Sequence, residues 1–182
     1  MAVPQDPDLS LFCPTVFDEI AYGPRELRLD AATVDRRVSE HASALTLHEL
    51  LDRAPQALSR GQRLRTAVAA ALSCGPDLLL LDEPTAGQDG AQVEALLLAL
   101  SAPSAPSLLF ATHDVDLVLR HATRAVVLVD GKLVADGDPA TVLAALPADS
   151  RIVIPPIHRF AMERGFRPGS ASALMTQVVG RA

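Results

Sequence analysis

Two apolar runs of this sequence end in side chains that do chemistry. Residues 78–89 read LLLLDEPTAGQD, four leucines leading straight into Asp82 and Glu83 before Pro84. Residues 107–114 read SLLFATHD and put His113 at the end of a second run. In a parallel α/β sheet, ligands sit beyond the carboxyl ends of the strands. An Asp so placed holds Mg²⁺ in phosphate-transferring sites, and a neighbouring carboxylate orients or deprotonates the attacking water. Taken singly, Asp-Glu-Pro also solvates a strand end, His113 serves as a capping or core histidine, and Asp114 is a helix N-cap. A third stretch, LSRGQ at 58–62, carries the same two readings. Ser59 and Gln62 form an S-x-x-Q capping box. Ser59 and the open N–H groups near Gly61, at the positive end of a helix dipole, also suit an anion such as a terminal phosphate. Arg60 adds charge of the right sign.

The elements that must position these residues follow from pattern. A short helix is expected over Thr15 to Ala21. Asp30 caps a helical segment to about His41, and Thr46 with Glu49 makes a capping box for a short helix stopping near Pro55. After Ser59, the residues Leu64, Val68, Ala71 and Leu72 share one helix face, and Gly75-Pro76 ends it. The run bounded by Pro76 and Pro84 reads as a strand covered on both faces. Val93, Leu96, Leu97 and Leu100 give a helix stripe, SAPSAPS a loop, SLLFATHD a second buried strand and residues 115–122 a further helix. This alternation predicts a parallel α/β sheet. RAVVLVDGKLVADGD closes as a hairpin at Asp130-Gly131, followed by a helix from Pro139 to about Leu146 and helical stretches near 157–164 and 172–179.

Composition narrows the function. The chain has 182 residues, 16 basic against 22 acidic side chains and a net charge of −6, which disfavours a general nucleic-acid surface. With 49% hydrophobic but only 3% aromatic residues, the core is aliphatic. There is no stretch of about 18 uncharged apolar residues and no signal-peptide pattern. Cys13 and Cys74 form no CxxC and read as free thiols in a reducing compartment. His41, His48, His113, His121 and His158 lack metal-ligand spacing, so no zinc site is expected.

In order and spacing, LSRGQ, LLLLDEP, TAGQD and ATHD resemble the ATP-binding-cassette (ABC) ATPases: the signature motif, the Walker B strand, the D-loop and the switch-histidine loop. Gln5 in VPQDPDLSLF is similar to the Q-loop glutamine. The stretch QDPDLSLFCPTVFDEIAYGPREL, with its Pro-Asp, Phe, Thr-Val and A-x-G-P, resembles the energy-coupling-factor (ECF) type, which imports cobalt, nickel and vitamins. The resemblance implies a partial P-loop NTPase fold with a parallel sheet, a helical subdomain and a C-terminal hairpin plus helices. It divides the chain into a Q-loop and helical subdomain (1–75), the remaining catalytic core (76–146) and a C-terminal extension (147–182).

It further implies an ATPase that uses ATP and Mg²⁺ at a head-to-tail dimer with a second ABC subunit. Asp82 would hold Mg²⁺ with Gln5, Glu83 would polarise the hydrolytic water and His113 would contact the γ-phosphate. Ser59, Arg60, Gly61 and Gln62 would clamp the partner's nucleotide in trans, and Asp89 would communicate across the dimer. The helical third would receive a transmembrane coupling subunit, with a substrate-binding membrane component beyond it, near Phe12, Phe17 and Tyr22. The implied location is peripheral, on the cytoplasmic face of the cell membrane.

This sequence departs from the family in two places. No G-x-x-x-x-G-K-[ST] occurs in it, and the Gly131-Lys132 pair lies in a hairpin turn. In the family that loop precedes the Q-loop, so the expectation is a fragment or a start assigned too late, exposing apolar sheet edges and binding ATP weakly when isolated. Arg60 stands where the signature usually has Gly; at a position with φ > 0 it would cost about 1 kcal/mol. A second reading is a non-catalytic partner lending only LSRGQ, against which Glu83 and His113 argue. A third, a DNA-maintenance ATPase, is disfavoured by the acidic balance and the lack of a heptad run.

Overall fold

The computed structural model describes residues 1–86, 88–102, 105–146, 152–154, 156, 158 and 159. They fall in two compact units, Met1–Thr112 and His113–Ala182. Apart from His158 and Arg159, the helical stretches expected near 157–164 and 172–179 lie outside the described residues.

The first unit holds a parallel sheet of β1 (Ala2–Val3), β2 (Leu78–Asp82) and β3 (Ser107–Ala111) in the order β1-β2-β3. Val3 pairs with Leu81, Leu80 with Leu109, and Asp82 with Ala111. Four helices accompany it: α1 (Val16–Glu26), α2 (Ala31–Ala44), α3 (Arg60–Ser73) and α4 (Gly90–Ala99). Their apolar faces and one face of the sheet make a single aliphatic core, in which Val16, Ile20, Val38, Leu47, Val68, Leu79 and Leu96 are essentially inaccessible.

The local signals for these helices act as the sequence predicts, with two exceptions. Asp30 caps α2 by accepting from Thr33, and Ser59 and Gln62 form the reciprocal capping box of α3. Gly75, at φ +69°, closes α3 with an N–H to the Leu72 carbonyl. Helix α1 starts at the Thr15 cap but runs beyond Ala21 to Glu26, straight through Pro24. Proline removes the donor that would satisfy the carbonyl of Ile20. The buried hydroxyl of Ser73 on α3 donates to that carbonyl instead, at 2.7 Å. The second exception is Thr46, which is not a helix cap. It lies at φ +55° and donates its hydroxyl to the Leu45 carbonyl, so His48–Leu50 forms only a single 3-10 turn.

The strands also differ from expectation. Leu79 and Leu81 are buried, but Leu78 is 43% and Leu80 36% exposed, and Leu109 beside Leu80 is 58% exposed. Only the helix-facing side of β2 and β3 is covered among the described residues. The four-leucine run reports an apolar strand; it does not report how many faces of that strand are covered.

The second unit contains α5 (Val115–His121), a hairpin of β4 (Ala125–Val129) and β5 (Lys132–Gly137), and α6 (Pro139–Ala144). Asp130 and Gly131 make the turn at φ +49° and +74°, and Arg124 grips Asp136 in a two-pronged pair at 2.7 Å. Val115, Leu119 and Leu143 form a small core with Ile152 and Ile154. The buried His158 ring meets the Asp116 carboxylate, whose other oxygen holds Arg120 at 2.8 Å. No helix among the described residues is long and apolar enough to cross a membrane.

Candidate functional site

The chain leaves β2 by a sharp turn, and that turn sets the two acids apart. Asp82 is the last strand residue, in register with Ala111, and is exposed. Glu83 sits in the left-handed region at φ +46°. Its N–H donates to the Ala111 carbonyl at 2.8 Å, so it still belongs to the β3 ladder while its backbone turns away. The hydroxyl of Thr112, just past β3, donates to Oε2 of Glu83 at 3.3 Å. A bulky residue at positive φ carries strain of about 1 kcal/mol or more, which marks the position as one held by its surroundings.

Beyond Glu83 the backbone makes two successive turns, Ala86 N–H to Glu83 and Gln88 N–H to Thr85. Gln88 donates its amide back to the Pro84 carbonyl at 2.8 Å. Asp89 caps α4, accepting from Ala91 N–H at 2.7 Å and from the Gln92 amide at 3.4 Å.

The LSRGQ stretch is the amino end of α3. Ser59 Oγ accepts from Gln62 N–H at 3.3 Å, and Gln62 Oε1 accepts from Ser59 N–H at 2.9 Å. The capping role is therefore met in full: both halves of the box are closed at the amino end of α3. Gly61 is buried. A Cβ there would collide with Oε1 of Gln92 and come within 3.2 Å of Oε1 of Gln88. Arg60 is the first helical residue and is not at positive φ, so it carries no backbone penalty. Its Nε donates to the Ala86 carbonyl at 2.9 Å and its NH2 group to the Gln5 carbonyl at 3.2 Å.

Thus the first unit brings together Gln5, the amino end of α3 and the turn after Glu83. His113 begins the second unit and is followed by Asp114, which caps α5 by accepting from Leu117 N–H at 3.1 Å. Sequence reasoning did not find Gln92, because its partners Gly61 and Arg65 lie far from it in the chain. The clue available was that Gly61 is small at the start of a helix, where a larger residue is the rule.

Asp82 and Glu83 offer hard carboxylate oxygens, the donor chemistry Mg²⁺ takes while keeping water or phosphate oxygens in its remaining positions. Among the described residues no group of three His, Cys, Asp or Glu side chains could hold a metal by itself.

The helical part presents a separate surface. Phe12 (65% exposed) and Tyr22 (45% exposed) meet edge to face with ring centroids 4.9 Å apart. Glu19, buried beneath them, accepts from the N–H groups of both Phe12 and Cys13 and so fixes the loop. Phe17 instead packs partly buried against the core, with the Arg25 guanidinium 5.6 Å over its ring.

Residues 2–86 match the protein family described as ABC transporter. A putative ABC transporter ATP-binding protein of Methanosarcina acetivorans is 36% identical over 180 residues, covering 98% of this chain and 28% of that protein. The cobalt import ATP-binding protein CbiO of Rhodobacter capsulatus is 39% identical over 189 residues, covering 97% of this chain and 68% of the relative. Among solved structures, CbiO1 of Clostridium perfringens, part of the transporter complex CbiONQ, superposes with a TM-score of 0.72 at 31% identity. That superposition covers 79% of this chain and 59% of the other. The chain thus spans less than a third of the Methanosarcina relative and about two thirds of the Rhodobacter one.

Proposed function

We propose, from the premise that this chain belongs to the ABC transporter ATP-binding family, that it serves as an ATP-hydrolysing subunit of an ECF-type importer of a metal ion or vitamin. The single observation that carries the reading is the pair at the end of β2: Asp82 exposed on the strand, and Glu83 turned out of it at φ +46° and held by Ala111 and Thr112.

In this reading Glu83 orients and takes a proton from the attacking water. A general base of this kind contributes about 10²–10⁴-fold. Asp82, with Gln5, would hold Mg²⁺, which when bound neutralises phosphate charge. His113 would contact the terminal phosphate. Ser59, Gly61 and Gln62 would face the nucleotide of a second ABC subunit, using the open N–H groups and positive end of α3. Asp89, already fixed as the cap of α4, would carry communication between subunits. The exposed Phe12–Tyr22 pair would receive the transmembrane coupling subunit, placing the protein at the cytoplasmic face of the membrane.

The test is ATP hydrolysis by a reconstituted assembly in which this chain, joined to a segment supplying the G-x-x-x-x-G-K-[ST] loop that its sequence lacks, is paired with a second ABC ATPase subunit and a membrane component. Glu83→Gln is expected to lower turnover at the chain's own site by about 10²-fold or more. Ser59→Ala is expected to lower turnover of the nucleotide held by the partner. Turnover unaffected by both substitutions would overturn the reading. Loss with Ser59→Ala alone would leave the chain as a non-catalytic partner.

A further inference from the structure

Arg60 ties together three stretches of chain. From the first turn of α3 its Nε reaches forward to the carbonyl of Ala86, and its NH2 group reaches back to the carbonyl of Gln5. Resting on the reading of these stretches as Q-loop, signature and D-loop, we propose that Arg60 is a positioning residue. It acts as a strut that locks the amino end of α3 to the segments carrying Gln5 and Asp89, so that the three move as one piece. Its guanidinium then serves its own chain and is not a ligand for the partner's nucleotide.

The chemistry favours this assignment. A guanidinium is a planar fork of fixed donors, so bonds from two of its nitrogens to two separate carbonyls define an orientation as well as a distance. Hydrogen bonds from an ionised donor are roughly twice as strong as neutral ones. Both acceptors are backbone atoms, so neither can swing away by a rotamer change. The Ala86 carbonyl belongs to the turn whose N–H closes on Glu83, so holding it holds the peptides that follow the proposed base.

Neighbouring contacts reinforce each arm. One turn further along α3, Arg63 lies 2.8 Å from the carboxylate of Asp8, in the 3-10 turn that follows Gln5. On the other side, the bare Cα of Gly61 admits the ends of Gln88 and Gln92. Because Arg60 is exposed and its carbonyl partners would otherwise be hydrated, its net contribution to global stability is small. Its effect is on local order, and there the strut is separable from a merely structural role.

Hydrogen exchange on the full chain, without nucleotide, tests it. The wild type is compared with Arg60→Ala, which keeps a good helix former, and with Arg60→Lys, which keeps the charge but serves one carbonyl at a time. In Arg60→Ala, exchange in the segments 5–10 and 83–89 is expected to rise together by about 3- to 10-fold, local openings being separable from global unfolding. The thermal midpoint and the protection of α1 and α2 should stay near wild type. Arg60→Lys should restore no more than about half of the lost protection on a logarithmic scale. No change in Arg60→Ala, or a change in one segment only, overturns the strut. So does wild-type behaviour of Arg60→Lys, which would mean that charge alone suffices, and so does protection lost throughout the helices. An error in assigning these stretches to nucleotide chemistry would leave this result untouched and would appear instead as hydrolysis indifferent to Glu83→Gln.

Discussion

Ser73 on α3 supplies the hydrogen bond that Pro24 withholds from α1: its hydroxyl lies 2.7 Å from the carbonyl of Ile20, with Ser73 itself inaccessible to solvent. The same hydroxyl lies 2.8 Å from the carbonyl of Ala70 one turn back, but it has one proton to give. Ile20 is the acceptor that gains more, since its own helix cannot serve it. Ser73→Ala should therefore leave a buried carbonyl unsatisfied and cost about 1–3 kcal/mol. Pro24→Ala restores the helical donor, so the cost of Ser73→Ala should shrink by about 1 kcal/mol in that background. Denaturant unfolding of the two single variants and the double variant measures the difference. Additive costs would show that the hydroxyl serves Ala70.

Glu83 offers a test in which stability and activity separate. Its left-handed backbone suits glycine and penalises any residue with a Cβ. Glu83→Gly is expected to be more stable than Glu83→Ala by about 1 kcal/mol, the reverse of the order these residues show inside a helix or strand. Both lack the carboxylate, and in the reconstituted assembly both should lose hydrolysis alike. Equal stability of the two variants would mean that the turn relaxes without strain.

How much of this could be read in the sequence depended on whether the deciding contact was local. Asp30, Ser59 with Gln62, Gly75 and Asp130-Gly131 act through atoms a few residues away, and each does in the fold what its type and position predict. The T-x-x-E of Thr46 and Glu49 has the same letters as a cap, yet Leu47 is fully buried and its N–H returns to the Ala42 carbonyl, which turns the chain the other way. The helix expected over Thr15 to Ala21 continues to Glu26 through Pro24, and the hydrogen bond that Pro24 withholds comes from Ser73, distant in sequence. The acids at 82 and 83 were legible as a pair, but their separation into strand and turn needed Ala111 and Thr112. The second covering layer expected on β2 rested on its apolar run alone, and hydrophobicity does not encode which neighbour supplies the cover.

Gly61→Ala should distinguish a packing role from a site role. The atoms a new Cβ would meet are the ends of the Gln92 and Gln88 side chains, both able to move. Stability is expected to change by less than about 1 kcal/mol, since adjusting one flexible group is cheaper than overpacking a core. Displacing Gln92 would, however, disturb its contacts with Asp89, the cap of α4, and with Arg65 on α3. If the amino end of α3 faces a partner's phosphates, turnover by the assembly should fall at least tenfold while the melting temperature stays near wild type. A large loss of stability would mark Gly61 as a packing residue first.

A pH titration should expose His41. Burial pushes this α2 imidazole below its ordinary value of 6.5, and the Arg37 charge adds to that while Glu40 opposes it. The folded pKa is thus lower than the unfolded one. Well above pH 6.5 the ring is neutral in both states, and its contribution to stability is fully present. As pH falls from there through the folded pKa, the unfolded chain takes up the proton first and stability is lost. One proton gives a slope of at most about 1.4 kcal/mol per pH unit, and a half-buried ring gives less. Unfolding free energies measured from pH 8 to pH 5 should therefore decline for the wild type on the acid side. They should decline less for His41→Gln, which keeps a polar side chain of similar reach but does not titrate. If both decline in parallel, acid sensitivity originates elsewhere, and the buried face of α2 tolerates a charged ring.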